Sequence, residues 1–538
     1  MRANPLPKFC NHEIVSAKDA LMVKILLSAA FVLIVVLRCS VLSAQHDNSR
    51  DAVRHISDEK YGQIAKTLKG KKPYGGQAEI TYVEMLSLLK QNETKPAFDK
   101  ALEAIELGLP FERLLVGPRE ELSKLHQFPR FQKWKSELKP SKMIHGPMLG
   151  KVTCSSASFW VRTDGEVKVR LTVGEGTAVS DEQMTRQETD FTAVLQVDGL
   201  LPETSYHYRL LIDGDSVAEG HFKTFAKSGT GSQFSVGFGG GAGYVVEWER
   251  MWDTILKVQP NAFLMMGDNV YIDQPESQLT QKYCYYRRQS RPEWKRFVSN
   301  TPIYSIWDDH DFGTNDCVPG PKIGKPAWKP KVWETFTQNW VNPAYGGGKD
   351  QPGCWYEFHM GDVHFIMLDG RYYRDLKGGT MLGPVQKKWV LETLKKSQAT
   401  FKVLASPVPF TSGVKPGSRD PWDGYPAERE EIFSFIESNK IEGVFLIAAD
   451  RHRTDLRVNT RPNGYDLYEL ESSRLTNHHT HGVVKTEGMV WGYNEKCSFA
   501  FMKFDTTTDD PQVEFQCITI DGEIKESSVL KRSQLTFD

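Results

Sequence analysis

Three apolar runs in this chain each stop at a cluster of carboxylates, and that repetition limits what it can fold into. "FLMMGDNVYIDQ" ends its run at Gly267-Asp268 and places Tyr271 three residues on. "YSIWDDHDFGTND" continues with Asp308, Asp309, His310 and Asp311. "GVFLIAADRHRTDL" closes on Asp450 and His452. Short apolar runs bounded by turn residues predict buried strands. Amphipathic helices fall between them: "VEWERMWDTILKV" puts Trp248, Met251, Trp252 and Ile255 on one face, and "REEIFSFIES" does so with Ile432, Phe435 and Ile436. The pattern predicts a layered α/β domain. In such folds residues just after the strands converge on one sheet edge, where ligands bind.

Packed at one edge, Asp268, Asp308, Asp309, Asp311, Asp369 and Asp450 would repel, and several would take up protons. Cations remove that conflict. Carboxylate and imidazole suit hard or borderline metals. Two metals can activate water and clamp the oxygens of an in-line displacement at phosphorus. The competing reading of any single Asp-x-x-Tyr is an ordinary turn. Three such strand ends in one domain favour metal.

The ordered set Gly267-Asp268-x-x-Tyr271, Trp307-Asp308-Asp309-His310-Asp311 and Asp450-x-His452 resembles the PhoD-like alkaline phosphatase/phosphodiesterase family of calcineurin-like metallophosphoesterases. So do "LDGRYYRD", "MLGPVQKKWV" and "ELESSRLTN". The resemblance runs from about Gly146 to Cys517. It implies a layered β-sandwich core flanked by helices. It implies that Asp268 bridges two metals and that Tyr271 ligates the first as a phenolate. Asp309 takes the slot of a ligand to the second metal, and Asp450 and His452 close the set. His310 stands beside the substrate. Asp308 and Asp369 read as ligands or as groups that orient ligands. Arg371 reads either as a phosphate clamp or as the ion-pair partner of Asp375. A phenolate ligand favours Fe3+, paired in the family with Ca2+; Zn2+ or Mn2+ would also suit these donors.

One position departs from the family. Its members carry a cysteine ligand after the first strand, in a Gly-Ser-Cys context, where this chain reads "VGFGGGAGY" with Gly241. The triple glycine is either an oxyanion cradle or a tight turn. Cys317 is a possible replacement thiolate, although a structural cysteine is the simpler reading. "TNHHTHG" brings His478, His479 and His481 onto one loop, which either binds metal or faces water. Arg287 and Arg288, in a loop region expected to shape the pocket, either hold an anionic substrate or face water.

The rest of the chain sets the context. Residues 1–44 read as a secretory signal peptide: the apolar core Ile25 to Leu37 is short for a membrane span, and a small residue, Ala44, ends the leader. Export to the periplasm or outside the cell is expected, with no transmembrane anchor after cleavage; an uncleaved signal anchor is the alternative reading. Residues 45–140 carry helical periodicity and no acid or histidine cluster, which reads as a structural or partner-facing extension. Residues 145–226 alternate apolar and polar. "LQVDGLLPETSYHYRLLIDG" resembles a fibronectin type III domain, so a small β-sandwich is expected there. The catalytic domain is expected over 231–520, with a tail over 521–538. Six cysteines follow the leader with no CxxC pair, so a zinc ribbon is not expected. Net charge is -1, and no basic patch calls for a stable nucleic-acid complex.

Together these features predict an exported hydrolase of small-molecule or polymeric phosphate esters. A binding or surface protein on a degenerate site is the alternative, favoured by Gly241. A hydrolase of another ester, such as sulfate, is a third.

Overall fold

The computed structural model describes residues 47–69, 75–174 and 176–537. The expected leader lies outside them. No helix among the described residues is long and apolar enough to cross a membrane.

Two sheets pack face to face. The first runs, in spatial order, Ile524–Lys531, Gln512–Thr519, Ser498–Asp505, Gln233–Gly239, Ala262–Met266, Ile303–Ile306, Met143–Gly150, Ser156–Thr163 and Thr192–Asp198. The second runs Tyr356–Met360, Val363–Met367, Phe401–Ala405, Val444–Ala448, Leu467–Ser472, Thr454–Asn459 and Met489–Tyr493. Phe504 of the first sheet meets Phe365, Phe401 and Phe445 of the second, with ring centroids 6.0, 6.1 and 6.3 Å away. Each buried ring of this kind contributes about 1.5–3 kcal/mol.

The inner strands are parallel: Ala262–Met266 pairs with Gln233–Gly239 and Ile303–Ile306, and Phe401–Ala405 pairs with Val444–Ala448. Ala262–Met266, Ile303–Ile306, Phe401–Ala405 and Val444–Ala448 are buried along their whole length, as their apolar runs predict. Parallel strands end on the same edge, so Gly241, Asp268, Asp308, Asp369 and Asp450 gather there. Gly267 lets two of these ends close together. Its φ is +105°, and a Cβ on it would meet Asp308 Cβ at 2.5 Å.

The β-region after residue 140 is not a free-standing sandwich. One of its layers extends the core sheet through Gly150, which pairs with Ile303 in parallel. A Cβ on Gly150 would meet Val341 O at 2.5 Å and Ile303 O at 2.9 Å, so the join requires glycine. The other layer contains Ala178–Val179, Lys168–Val173, Ser205–Ile212 and Asp215–Lys223. Phe159 faces Tyr208 across the two layers at 4.5 Å. The chain beyond 521 forms the edge strand Ile524–Lys531 rather than a tail. Only Leu530 of that strand is buried, so its apolar signal is weak.

The described residues of 48–138 form a series of helices, from Asn48–Ser57 to Pro129–Leu138, that sit against the core. Buried Arg113 donates to both oxygens of Glu79 at 2.9 and 2.8 Å. The first described helix, Asn48–Ser57, is capped by Asp47, which accepts from the backbone N–H of Ser49 and Arg50. Asp47 is itself held by Arg287 of the helix Gln278–Gln289. This ion pair and its neighbours are buried, so the segment is tied to the domain that carries the acids.

Candidate metal centre

Five side chains at the sheet edge stand on left-handed backbone: Asp268, Tyr271, Asp273, Asp450 and His452 have φ of 54, 50, 53, 74 and 48°. Such residues persist only where the surroundings over-determine them. Asp311 supplies much of that restraint. Its carboxylate accepts from the backbone N–H of Asn269 and Val270 at 2.9 and 3.0 Å. The N–H groups of Ile272 and Asp273 both donate to His310 O, at 2.7 and 3.0 Å. The first two acidic strand ends are thereby zipped to each other.

Ligating atoms of Asp268, Asp309 and His310 lie within 4.8 Å of one another. Tyr271 Oη is 2.9 Å from His452 Nε2 and accepts from Asn477 Nδ2 at 2.6 Å. His452 Nε2 is 3.9 Å from Asp268 Oδ2. Asp268, Tyr271 and His452 therefore form one donor set. Asp309 adjoins it through Asp268, and its oxygens accept from the N–H of His310 and of Asp316 at 3.0 and 2.5 Å.

The acids are crowded, and only some have cationic partners: Asp450 Oδ2 lies 3.5 Å from Arg451 Nη1 and 3.9 Å from Lys415 Nζ. Burial pushes the Asp268 carboxyl up to about 8; His310 opposes the shift, while Asp309 and Asp450 add to it. Burial holds the Tyr271 phenol well above its usual range and takes His452 down to about 3. Asp268 Oδ1, Asp308 Oδ2, Asp450 Oδ2 and His452 Nδ1 are buried without a hydrogen-bond partner. Each unsatisfied buried group costs about 1–3 kcal/mol, more when charged. Carboxylate, phenol and imidazole donors with unused lone pairs fit a metal centre.

His310 is differently placed. Its Nδ1 is 2.5 Å from Asp273 Oδ1. Burial opposes charge on the ring, yet Asp273, Asp309 and Asp268 hold its pKa well above the ordinary range. Asp273 also accepts from Arg50 Nη1, which donates in addition to Tyr271 O at 3.1 Å. The ring of His310 stacks on Tyr271 at 4.7 Å.

Arg371 is fully buried. It donates from Nε to Asp308 at 2.5 Å and from Nη1 to Asp420 at 2.6 Å, and it lies 3.8 Å from Asp309. Its partners are thus Asp308 and Asp420, not Asp375. Asp369 is saturated: it accepts from Trp307 Nε1 at 2.9 Å and from the N–H of Cys354, Arg371 and Tyr372 at 3.0, 2.8 and 3.0 Å. That geometry orients neighbours and leaves little for a metal. Lys415 lies among Asp316, Asp420 and Asp450, with Nζ 2.8, 3.2 and 3.9 Å away.

Several readings of the sequence change. Arg287 and Arg288 are 1% and 2% exposed and lie in buried ion pairs with Asp47 and Glu249 rather than facing water. Arg288 pairs with Glu249 and donates to Ala242 O at 2.6 Å. The glycine loop is no oxyanion cradle, because the N–H groups of Gly240, Gly241 and Ala242 donate to Ser472 O, Gly267 O and Asp268 O. At Gly241, φ is +66° and a Cβ would lie 2.8 Å from Arg474 N, so a side chain is sterically blocked. No cysteine joins any candidate metal group among the described residues, and all six described cysteines are free thiols. Asp273, Asp316, Asp420, Lys415, Asn477 and Arg50 escaped sequence reasoning because each lies on a loop or a remote helix, outside the strand-end pattern.

The family model of PhoD-like phosphatases matches residues 234–473. A model for a domain of unknown function matches residues 140–229. Alkaline phosphatase D of Bacillus subtilis (strain 168) is 24% identical over 319 residues, covering 50% of this chain and 54% of that protein. The chain thus spans about half the length of the curated relative it matches. The solved structure of PhoD superposes with a TM-score of 0.60 at 17% identity, over 73% of this chain and 90% of its own. Purple acid phosphatase PPD1 from yellow lupin (Lupinus luteus) seeds gives 0.53 at 13% identity, over 72% and 75%. At those identities the two structures speak to the fold, a mixed α/β one with several sheets. The similarity to the PhoD-like phosphatases is thus carried by residues 234–473.

Proposed function

We propose that the chain is a metal-dependent phosphoric ester hydrolase, exported from the cell, acting on phosphate monoesters or diesters. The observation that carries this reading is the set of buried atoms without a hydrogen-bond partner on Asp268, Asp308, Asp450 and His452 beside Tyr271 and Asp309. Asp268, Tyr271 and His452 would hold the first cation. Asp268, Asp309 and Asp450 would hold the second. The family resemblance favours Fe3+ at the phenol and Ca2+ at the carboxylates; Zn2+ or Mn2+ are the other candidates. When bound, such a pair supplies an acidified water and positive charge facing the phosphoryl oxygens.

The chain's own residues do the rest. His310, charged through Asp273, stands ready to give a proton to the leaving oxygen. Arg371 fixes Asp308 and neighbours Asp309, so its part in catalysis is to set the carboxylates. Asp369 holds Trp307 and the Arg371 backbone in register.

The blocked side-chain position at Gly241 favours a second reading, a binding protein on a degenerate site. Metal content separates the two: about two cations per chain after reconstitution supports catalysis, and none supports binding alone. Metal-loaded protein should hydrolyse p-nitrophenyl phosphate or its bis ester and lose activity with chelator. Asp268→Asn and His310→Ala should each remove most of the rate, and full activity in either would defeat the assignment. A mature chain that begins at Met1 would sink the export reading.

A further inference from the structure

The loop after Asn477 turns two more imidazoles toward His452. His479 Nε2 and His481 Nε2 lie 3.1 Å apart. Their rings are 5.1 and 5.6 Å from the His452 ring. One ring nitrogen from each of the three lies within 4.8 Å of the others. His478 takes no part; it packs on Trp248 at 4.2 Å.

The loop is fixed from several sides. His479 N–H donates to Asn477 Oδ1 at 2.9 Å, Thr480 Oγ1 donates to His452 O at 3.1 Å, and Asn494 Nδ2 donates to His481 O at 2.9 Å. Asn477 in turn donates to Tyr271 Oη. The same short segment thus sets both the phenol and the imidazole pair.

Two neutral imidazoles sharing one proton would explain His479 and His481 alone. They leave His452 Nδ1 buried and unpartnered. Gly241 offers no side-chain donor to His452: a Cβ there would stand 3.3 Å from His452 Cδ2 and collide with Arg474 N. The loop imidazoles of His479 and His481 are the donors grouped with His452 apart from the carboxylates. Three imidazoles with an open position make a sufficient seat for a borderline first-row cation.

We propose that His452, His479 and His481 seat a borderline divalent cation such as Zn2+ through one ring nitrogen each, a seat apart from the cation that Asp268 and Tyr271 would share with His452 Nε2. The inference rests on the reading that His452 is a metal ligand.

The test uses the full chain, reconstituted separately with Zn2+ and Co2+. Cations per chain are counted, affinity is read by competition with a chromogenic chelator, and X-ray absorption gives the imidazole number. His479→Ala/His481→Ala should lose a cation or weaken its affinity by at least about tenfold, the loss that even an outer ligand partner causes. Its Co2+ spectrum should change, and the imidazole count should fall. Both rings are half-buried on a loop, so melting of the metal-free variant should match the parent; His479→Gln/His481→Gln serves if it does not. Unchanged stoichiometry, affinity and spectrum in both double variants would overturn the inference. Asp268→Asn, run in parallel, separates the two ideas. Metal lost in Asp268→Asn but kept in the double variants leaves the hydrolase centre standing and removes the histidine seat. Metal kept in Asp268→Asn but lost in the double variants does the reverse.

Discussion

Asp273 faces Nδ1 of His310 at 2.5 Å, and neither residue belongs to an apolar strand. Burial alone would raise the Asp273 carboxyl, but His310 and Arg50 hold it below its usual range, so it is charged when His310 is. Asp273→Asn removes the charge that sustains the imidazolium, and the His310 pKa falls. The alkaline limb of the rate profile, where the acid form disappears, should therefore move to lower pH. Loss of proton donation costs about 10²–10⁴-fold in rate. A pH–kcat profile of the metal-loaded variant checks both, and an unshifted alkaline limb would contradict the relay.

Arg50 reaches this relay from the first described helix. Its guanidinium spans Asp51, Tyr271 O and Asp273 while the residue is only 3% exposed. Arg50→Ala should lower kcat about 10–100-fold, the usual effect of removing a group that orients a ligand or its partner. KM should change little, because Arg50 is buried behind Tyr271. Arg50→Lys should restore part of the loss. Steady-state kinetics on the three forms is the measurement, and a pure KM effect would count against the assignment.

These two residues also mark the limit of what the sequence discloses. Asp268, Asp308, Asp369 and Asp450 were legible because an apolar run followed by a polar residue is the local signature of a parallel strand end. Their convergence follows from α/β geometry, with no knowledge of contacts. Asp273, Asp316 and Lys415 have no such signature, since loop positions obey no period. Arg50 and Arg287 look like surface cations until Asp47 and Asp273 appear beside them, and those partners are more than 200 residues distant along the chain. The shared sheet was hidden for a similar reason. Gly150 is an ordinary strand glycine in sequence, and only the nearness of Val341 O explains it.

Metal-free protein should lose stability as pH rises. The Asp268 carboxyl has an ordinary value of 3.8 and is raised to about 8 in the fold. Below 3.8 it is protonated in both folded and unfolded chains and contributes no difference. Between the two values the unfolded chain has released its proton and the folded chain has not, so unfolding is increasingly favoured. The melting temperature of the apo form should fall from pH 4 to pH 8. Saturating metal should flatten that slope, since a cation replaces the proton. Calorimetric scans at several pH values, with and without metal, read it directly, and an apo melting temperature that climbs over this interval would refute it.

Restoring a side chain at Gly241 should do harm. Left-handed φ with a non-glycine residue costs about 1–3 kcal/mol, and the contact with Arg474 N adds to it. Gly241→Ala should destabilise by at least that amount in urea titration. Gly241→Cys should be no more stable and should gain no metal affinity, because its sulfur is attached at a blocked position. Tighter metal binding by the cysteine variant would mean the backbone relaxes there.

Arg371 offers the sharpest choice between two roles. A phosphate clamp would face the substrate, and Arg371→Ala would raise KM while leaving the fold intact. The geometry instead ties its guanidinium to Asp308 and Asp420, all three at or below 4% exposed. Asp420 also accepts from Arg374, and its carboxyl, which burial would raise, is held well below the usual range by Arg371, Arg374 and Lys415. Removing Arg371 strands Asp308 with no cation, and breaking a buried pair in this way costs about 3–5 kcal/mol. Arg371→Ala should therefore show a large fall in the urea midpoint. Arg371→Lys should recover little, because a single ammonium cannot meet both carboxylates in the planar arrangement that Nε and Nη1 make. Denaturation curves and KM measured on the same preparations decide the matter. Stability within about 1 kcal/mol of the parent, the range of an exposed ion pair, together with a raised KM would return Arg371 to the substrate.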